Sequence, residues 1–279
     1  MKFSLVLATY GRYDEVKKFL KSIENSEFNT QNIEIIIVDQ NDEINLDNLV
    51  EQFRNSLNVL HIRSKKKGLS INRNIGLQHA SGEFIAFPDD DCEYLSDTLS
   101  EVERYFKENP TASLVLGKII DKNNLNSIRE WALNKQKITK NNFFTKFSSI
   151  TMFYKKEVFK VVNFNENLGV GAKYGSCEDA DIIFKVLKIF GNAFYTPNIK
   201  IYHPDERKIS TPISKIYNYG LGFGRFCKEN FCLGISLLFL KVIVYHTLGL
   251  LKGMLTINKS LIIRKYIAIS SRFKGLIYK

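Results

Sequence analysis

Cysteine is scarce in this 279-residue chain. Cys92, Cys177, Cys227 and Cys232 form no CxxC pair. That excludes a disulfide-stapled scaffold and a thiolate zinc site, and it suits a reducing compartment. Proline and glycine are also limited, at 5 and 16 residues, while hydrophobic residues reach 44%. Collagenous, low-complexity and disordered classes are thereby excluded. No uninterrupted apolar run reaches the roughly 18–20 residues that span a bilayer. The most apolar stretch, residues 231–257, is broken by Lys241, His246 and Lys252. The amino terminus, MKFSLVLATYGRYDE, has too short an apolar run for a cleavable signal, so the body is expected in the cytosol.

Acidic residues are missing from one region only. From Arg207 to Lys279 there are 13 Lys and Arg and a single acid, Glu229, for a charge of +12; residues 1–206 carry −1. A near-neutral body with a basic tail points the tail at an anionic surface, membrane or nucleic acid. Lys241, Lys252 and Lys259 would share one face of a continuous helix at about 100° per residue. Lysines on one stripe of an apolar helix describe a segment lying in the membrane interface, and a core-packing helical pair is the plainer alternative.

The first half alternates strands and helices. Apolar runs at Phe3–Leu7, 33–38 (IEIIIV), Val59–Ile62 and Glu83–Phe87 read as strands. Helical spacing places helices from Asp14 to about Asn25, near Leu46–Leu57 and over Ser70–His79. This rhythm predicts an α/β protein with a parallel central sheet. Further on, Leu95–Phe106 and Ala180–Phe190 read as helices, and Leu114–Ile120, Ser149–Tyr154 and Ile199–His203 as strands. The polar stretch 121–142 has the composition of a substrate loop. The Gly- and aromatic-rich stretch Tyr217–Gly224 reads as a segment over an acceptor entrance or as a flexible connection between body and tail.

Four groups of residues carry chemistry. Asp89, Asp90 and Asp91 follow a buried strand, and three adjacent carboxylates need solvent, protonation or a cation to offset their repulsion. In an extended chain Asp89 and Asp91 would point to one side, as a hard-oxygen site for Mg²⁺ or Mn²⁺. A solvated turn or a helix cap accounts for them equally well. Thr9 and Asp39 end two strands, on the rim where open sheets bind ligands. Glu178, Asp179 and Asp181 open an apolar helix after Gly169, Gly171 and Gly175. Acids there favour a helix start, and one could also take a proton from an acceptor hydroxyl. His203 becomes a candidate ligand only if the fold sets it beside Asp91.

Together these residues resemble the family 2 glycosyltransferases of the GT-A fold, over roughly residues 1–206. The resemblance rests on LVLATYGR (5–12), IIIVDQND (35–42), GLSINRNIG (68–76), GEFIAFPDDDCEY (82–94), GVGAKYGSCEDAD (169–181) and YHP (202–204), in that order. It implies a catalytic domain over 1–206, with a nucleotide half about 1–92 and an acceptor half about 93–206; the basic, apolar composition of 207–279 makes that stretch a membrane-associating helical tail. Thr9, Tyr10, Arg12, Asp39 and Arg73 are then expected around the nucleotide. Asp89 and Asp90 fall on the ribose and sugar side, and Asp91 on a Mn or Mg ion as part of a DxD motif. His203 resembles a further metal ligand. Asp179 matches the family's general base, with Glu178 and Asp181 on the acceptor side.

The resemblance further implies an inverting, metal-assisted transfer from a nucleotide-diphosphate sugar, UDP-sugar favoured, to a lipid-linked saccharide acceptor. That setting is bacterial surface polysaccharide synthesis, with the enzyme peripheral on the inner face of the cell membrane. The processive QxxRW motif is absent: Trp131 follows Glu130. Direct transfer to a polyprenyl phosphate is the alternative within the fold. A basic nucleic-acid- or membrane-binding protein without catalysis is the remoter one, and nucleic acid is disfavoured because the basic residues are interleaved with aliphatic runs. The tail also leaves room for a homo-oligomer.

Overall fold

Seven consecutive buried residues form β1 (Phe3–Thr9), which is unpatterned because neighbours cover both of its faces. Helix α1 (Asp14–Glu24) buries Val16, Phe19, Leu20 and Ile23, the i, i+3, i+4, i+7 face expected of it. Strand β2 (Ile33–Asp39) pairs parallel with β1 in a register that sets Thr9 opposite Asp39. Helix α2 (Asp47–Phe53), edge strand β3 (Asn58–Arg63), helix α3 (Leu69–Leu77) and short strand β4 (Phe84–Ala86) follow. Helix α3 reaches the sheet through Gly76, where a Cβ would come 2.4 Å from Val6 Cγ1. The remaining elements before the C-terminal helices are β5 (Glu93–Tyr94), α4 (Thr98–Glu108), β6 (Leu114–Ile120), β7 (Gln136–Ile138), β8 (Met152–Lys155), α5 (Glu178–Ile189) and β9 (Ala193–Tyr202).

The computed structural model describes residues 1–204 and 211–278. Two compact units emerge: Met1–Asn163 with Ile183–Lys208, and Phe164–Ile182 with Ile209–Lys279. The expected boundary after residue 206 lies outside the described residues.

The first unit holds a nine-stranded sheet in the order β3-β2-β1-β4-β8-β6-β9-β5, with β7 also on β9. It is mixed rather than parallel. Strands β1–β4 are parallel neighbours, but β8 runs antiparallel to both β4 and β6, and β5 and β7 run antiparallel to β9. The second half of the sheet therefore departs from the alternating rhythm that the first half displays. The polar stretch 121–142 is anchored rather than loose. Trp131 is buried and stacks on Tyr195, and its indole N–H donates to the Ser127 carbonyl at 3.0 Å.

The second unit consists of the 164–182 segment and three helices, α6 (Ile213–Glu229), α7 (Leu233–Leu255) and α8 (Lys259–Ile277). Two expectations are corrected here. Tyr217–Gly224 is not a flexible connection but the middle of α6, because its glycines admit a close helix–helix approach. A Cβ at Gly224 would come 2.1 Å from the Arg272 carbonyl oxygen of α8. The tail is also not one continuous helix. Ile257 sits at φ +49°, and the Asn258 side chain caps α8 by accepting from Leu261 N at 3.0 Å. Lys259 thus belongs to a different helix from Lys241 and Lys252. By length and composition α7 is apolar and long enough to cross a membrane, since its 23 residues continue through both lysines.

Candidate active site

The first unit gathers nine of the twelve expected site residues, eight at the carboxyl ends of β1, β2 and β4 and just past β9 and one, Arg73, on α3. Asp89–Asp91 do not extend the strand: the chain turns, with Cys92 N donating to the Asp89 carbonyl at 3.3 Å. Alternation of side chains is therefore lost, and each carboxylate takes its own partner. Arg73, buried on α3, donates to Asp89 Oδ1 at 2.8 Å. Thr9 Oγ1, at the end of β1, donates to Asp90 Oδ2 at 2.8 Å. His203 Nε2 lies 3.2 Å from Asp91 Oδ1. Arg12 faces two of them, at 4.0 Å from Asp90 and 3.7 Å from Asp91. Mutual repulsion in the triplet is thus relieved by three different structural elements.

The protonation balance follows these partners. Burial pushes Asp90 up to about 6, with its acidic neighbours adding and the Thr9 hydrogen bond opposing. The His203 hydrogen bond holds Asp91 below the usual carboxylate range, against the effect of burial. Burial alone would lower His203, but the hydrogen bond and charge of Asp91 outweigh it and the imidazole is raised. Asp91 and His203 converge as one carboxylate and one imidazole, a donor pair that fits part of the shell of a Mn or Mg ion. Among the described residues no group of three or more His, Cys, Asp or Glu is placed to hold a metal by itself. A cleft of about 190 Å³ borders Asp91, with Arg12, Lys18, Lys122 and Tyr202 in its walls.

Asp39 is buried, and both its oxygens are engaged. Oδ1 accepts from Asn41 N at 2.8 Å and Asn41 Nδ2 at 2.7 Å; Oδ2 lies 3.0 Å from His61 Nε2. Burial raises its pKa, but these bonds outweigh burial and the carboxyl is lowered. Tyr10 is exposed, with the Lys67 ammonium 4.9 Å from its ring centroid. Lys67 also pairs with Asp42 at 2.6 Å. His61 and Lys67 were not expected from sequence; Lys67 ends the basic run just before GLSINRN, which was the available signal.

The other three expected residues open α5 in the second unit. Cys177, before them, takes φ +69°, unfavourable for any residue but glycine. Glu178 and Asp181 are buried, and Asp181 Oδ1 accepts from Asn230 Nδ2 at 2.8 Å. Asp179 is half-exposed, and its Oδ1 accepts from Ala180 N at 2.8 Å. Of the three carboxylates it is the one open to solvent.

Comparison with known proteins bears on this arrangement. Residues 4–172 match the model of the family described as glycosyl transferase family 2. A Campylobacter jejuni protein, GalNAc(5)-diNAcBac-PP-undecaprenol beta-1,3-glucosyltransferase, is 32% identical over 174 residues, covering 59% of this chain and 55% of the relative. The Staphylococcus aureus poly(ribitol-phosphate) beta-N-acetylglucosaminyltransferase TarS is 29% identical over 118 residues, covering 42% of this chain and 21% of TarS. The chain therefore spans about half of one curated relative and a fifth of the other. A crystal structure of TarS 1–349 superposes with TM-score 0.65 at 17% identity, covering all of this chain and 93% of that one; TarS has also been solved with UDP and with UDP-GlcNAc. The Pyrobaculum calidifontis mannosyltransferase PcManGT, solved with GDP-Man and Mn²⁺, gives 0.67 at 13% identity, covering 100% and 88%. These structures share the GT-A fold. With its mixed sheet, its carboxylate triplet at the strand ends and a family match over most of its length, the chain belongs to the family 2 glycosyltransferases.

Proposed function

We propose that the protein transfers a sugar from a nucleotide-diphosphate donor, a UDP-sugar by preference, to a hydroxyl of a lipid-linked saccharide, in the synthesis of a bacterial surface glycan. The observation that carries this reading is the distribution of the triplet, with Asp89 on Arg73, Asp90 on Thr9 and Asp91 on His203. Three acids held apart at the rim of one sheet form a polar cradle suited to a nucleoside diphosphate sugar. The UDP complexes of TarS and the undecaprenol-linked substrate in the name of the C. jejuni relative favour this donor and acceptor.

In this reading Tyr10 and Asp39 border the base, and Arg73, Asp89 and Asp90 the ribose and sugar. Arg12 supplies positive charge beside the diphosphate. A divalent cation held by Asp91 and His203 would neutralise charge on the leaving diphosphate. Asp179 acts as general base and takes the proton of the acceptor hydroxyl as that oxygen attacks the anomeric carbon. The anomeric carbon–oxygen bond to the diphosphate breaks in the same displacement, so configuration inverts and no covalent enzyme intermediate forms.

The acceptor's lipid anchor is matched by α7. Leu233, Leu237, Leu240, Val244, Leu248, Leu251 and Leu255 recur at helical spacing and are all exposed. Lys241 and Lys252 lie roughly 60–80° to one side of that stripe at about 100° per residue. Lys241 falls well inside α7, where a spanning helix would place it in hydrocarbon at high cost. A helix lying in the anionic interface lets both lysines reach headgroups.

Calorimetric binding of UDP, GDP and dTDP, with Mn²⁺ and with chelator, tests the donor site in the wild type and Asp91→Ala. Metal-dependent binding of one nucleotide that the substitution removes supports the proposal. Binding of none of the three counts against it.

A further inference from the structure

Within the second unit, the segment that carries the acidic residues is fastened along α6. Gly222 faces Ser176: a Cβ there would come 2.3 Å from Ser176 Oγ and 2.4 Å from its carbonyl oxygen. One turn earlier, Ser176 Oγ donates to the Tyr219 carbonyl at 3.2 Å. A Cβ at Gly175 would in turn come 2.9 Å from Asn218 Cβ. At the far end of α6, Asn230 donates to Asp181 Oδ1 at 2.8 Å and to the Phe226 carbonyl at 3.1 Å. These contacts fall on both sides of Asp179. Between them lies Cys177, whose left-handed backbone has to be held from outside because its side chain disfavours it.

We propose that α6 is the positioning element for Asp179, with Gly222 and Asn230 as positioning residues. Gly222 lets the backbone at Ser176 approach the helix, which fixes where Cys177 turns. Asn230 fixes Asp181 in the first turn of α5. The direction in which Asp179 leaves that turn is set by the two anchors together. The same helix packs on α8 through Gly220 and Gly224, where an added Cβ would meet Ser271 Oγ and the Arg272 carbonyl at 1.8 and 2.1 Å. The alignment of the base is therefore built into the helical unit, the one that presents the lipid-facing stripe. This inference rests on the reading of Asp179 as general base.

The test uses the full-length protein as wild type, Gly222→Ala, Asn230→Asp, the exchanged pair Asn230→Asp/Asp181→Asn, and Asp179→Asn. Iodoacetamide labelling of Cys177 is followed by mass spectrometry, with buried Cys92 as the control for global opening. UDP affinity and the steady-state release of UDP from UDP-N-acetylglucosamine are measured on the same samples. In Gly222→Ala, Cys177 labelling is expected to rise about tenfold with Cys92 still protected, since only a local segment opens. UDP affinity stays at the wild-type value, and kcat falls by up to about 100-fold with KM unchanged, the scale of a 1 Å misplacement. Asn230→Asp sets two carboxylates face to face, raises Cys177 labelling and lowers kcat; the exchanged pair restores one amide–carboxylate bond and returns the labelling toward the wild-type level. Unchanged Cys177 labelling in Gly222→Ala overturns the proposal, as does a parallel loss of Cys92 protection and UDP affinity. An inactive Asp179→Asn beside fully active Gly222→Ala and Asn230→Asp overturns the positioning role alone. A fully active Asp179→Asn instead removes the base assignment, while the labelling still decides whether α6 holds the loop.

Discussion

His203 Nε2 and Asp91 Oδ1 meet at 3.2 Å because strand β5 pairs antiparallel with the end of β9, Glu93 opposite Tyr202. Continuing past that pair, by one residue to His203 and by two to Asp91, brings the triplet's last acid to the histidine. The His203 carbonyl is itself approached by Ser127 Oγ at 3.3 Å, which ties the ring's backbone to the anchored 121–142 stretch. His203→Ala is expected to weaken Mn²⁺-dependent UDP binding about 10- to 100-fold, the usual cost of losing a metal-side partner. Binding in the presence of chelator should change little. Calorimetry with and without chelator separates the two, and an equal loss in both would assign His203 to packing.

Asp179→Asn keeps shape and removes basicity. Loss of a positioned general base costs about 10²- to 10⁴-fold in rate. UDP affinity should stay within about twofold of wild type, since the substitution leaves the triplet and its partners intact. Comparing single-turnover transfer with nucleotide affinity checks this, and a kcat within error of wild type would exclude the assignment.

Glu34 gives a pH-dependent prediction away from the chemistry. Its Oε1 accepts from Ser4 Oγ at 2.5 Å and Gly82 N at 3.1 Å, and the Ser81 hydroxyl reaches both oxygens, so it ties β2 to β1 and to the turn before β4. Burial would raise its pKa, but these donors outweigh it and the carboxyl is lowered. A lowered folded-state pKa contributes stability that is present above the unfolded value of about 4.3 and is lost as pH falls through the folded one. Glu34→Gln should therefore cost about 1 kcal/mol at pH 7, at the low end for charged hydrogen bonds because the group is partly exposed. The gap to wild type should narrow as pH falls below about 4. Urea midpoints at pH 7 and pH 3 measure this, and a gap undiminished at pH 3 would show that lost packing, not charge, is responsible.

Local pattern made the first half of the fold legible. Val16, Phe19, Leu20 and Ile23 announce α1, and Leu114–Ile120 forms β6 with the expected bounds. The strand-end position of Thr9 and Asp39 follows from the same runs. What was not legible depends on contacts distant in sequence. The antiparallel insertion of β8 between β4 and β6 has no local signature. The turn at Asp89–Asp91 replaces an extended segment because Arg73, Thr9 and His203 each draw one carboxylate. Tyr217–Gly224 resembles a loop because glycine punctuates loops, yet here α8 packs where side chains would be. The grouping of 164–182 with the C-terminal helices likewise depends on Ser176 and Asp181 meeting α6.

The exposed face of α7 yields the last prediction. Its leucines project outward while Gly253 and Ile235 are buried, so apolar residues occupy a surface that water would otherwise disfavour. Each leucine inserted at an interface contributes roughly 1.5–3 kcal/mol when fully buried, and each nearby lysine about 1 kcal/mol on an anionic surface. Leu240→Asp and Leu248→Asp should each reduce flotation with phosphatidylglycerol vesicles at least about tenfold. Lys241→Glu with Lys252→Glu should also reduce it, and that effect alone should vanish on neutral phosphatidylcholine and shrink in high salt, because charge is screened while apolar burial is not. The contrast identifies the surface. If the leucine substitutions leave flotation unchanged but convert an oligomer to a monomer, the stripe is a contact between copies of the chain and the lipid reading falls.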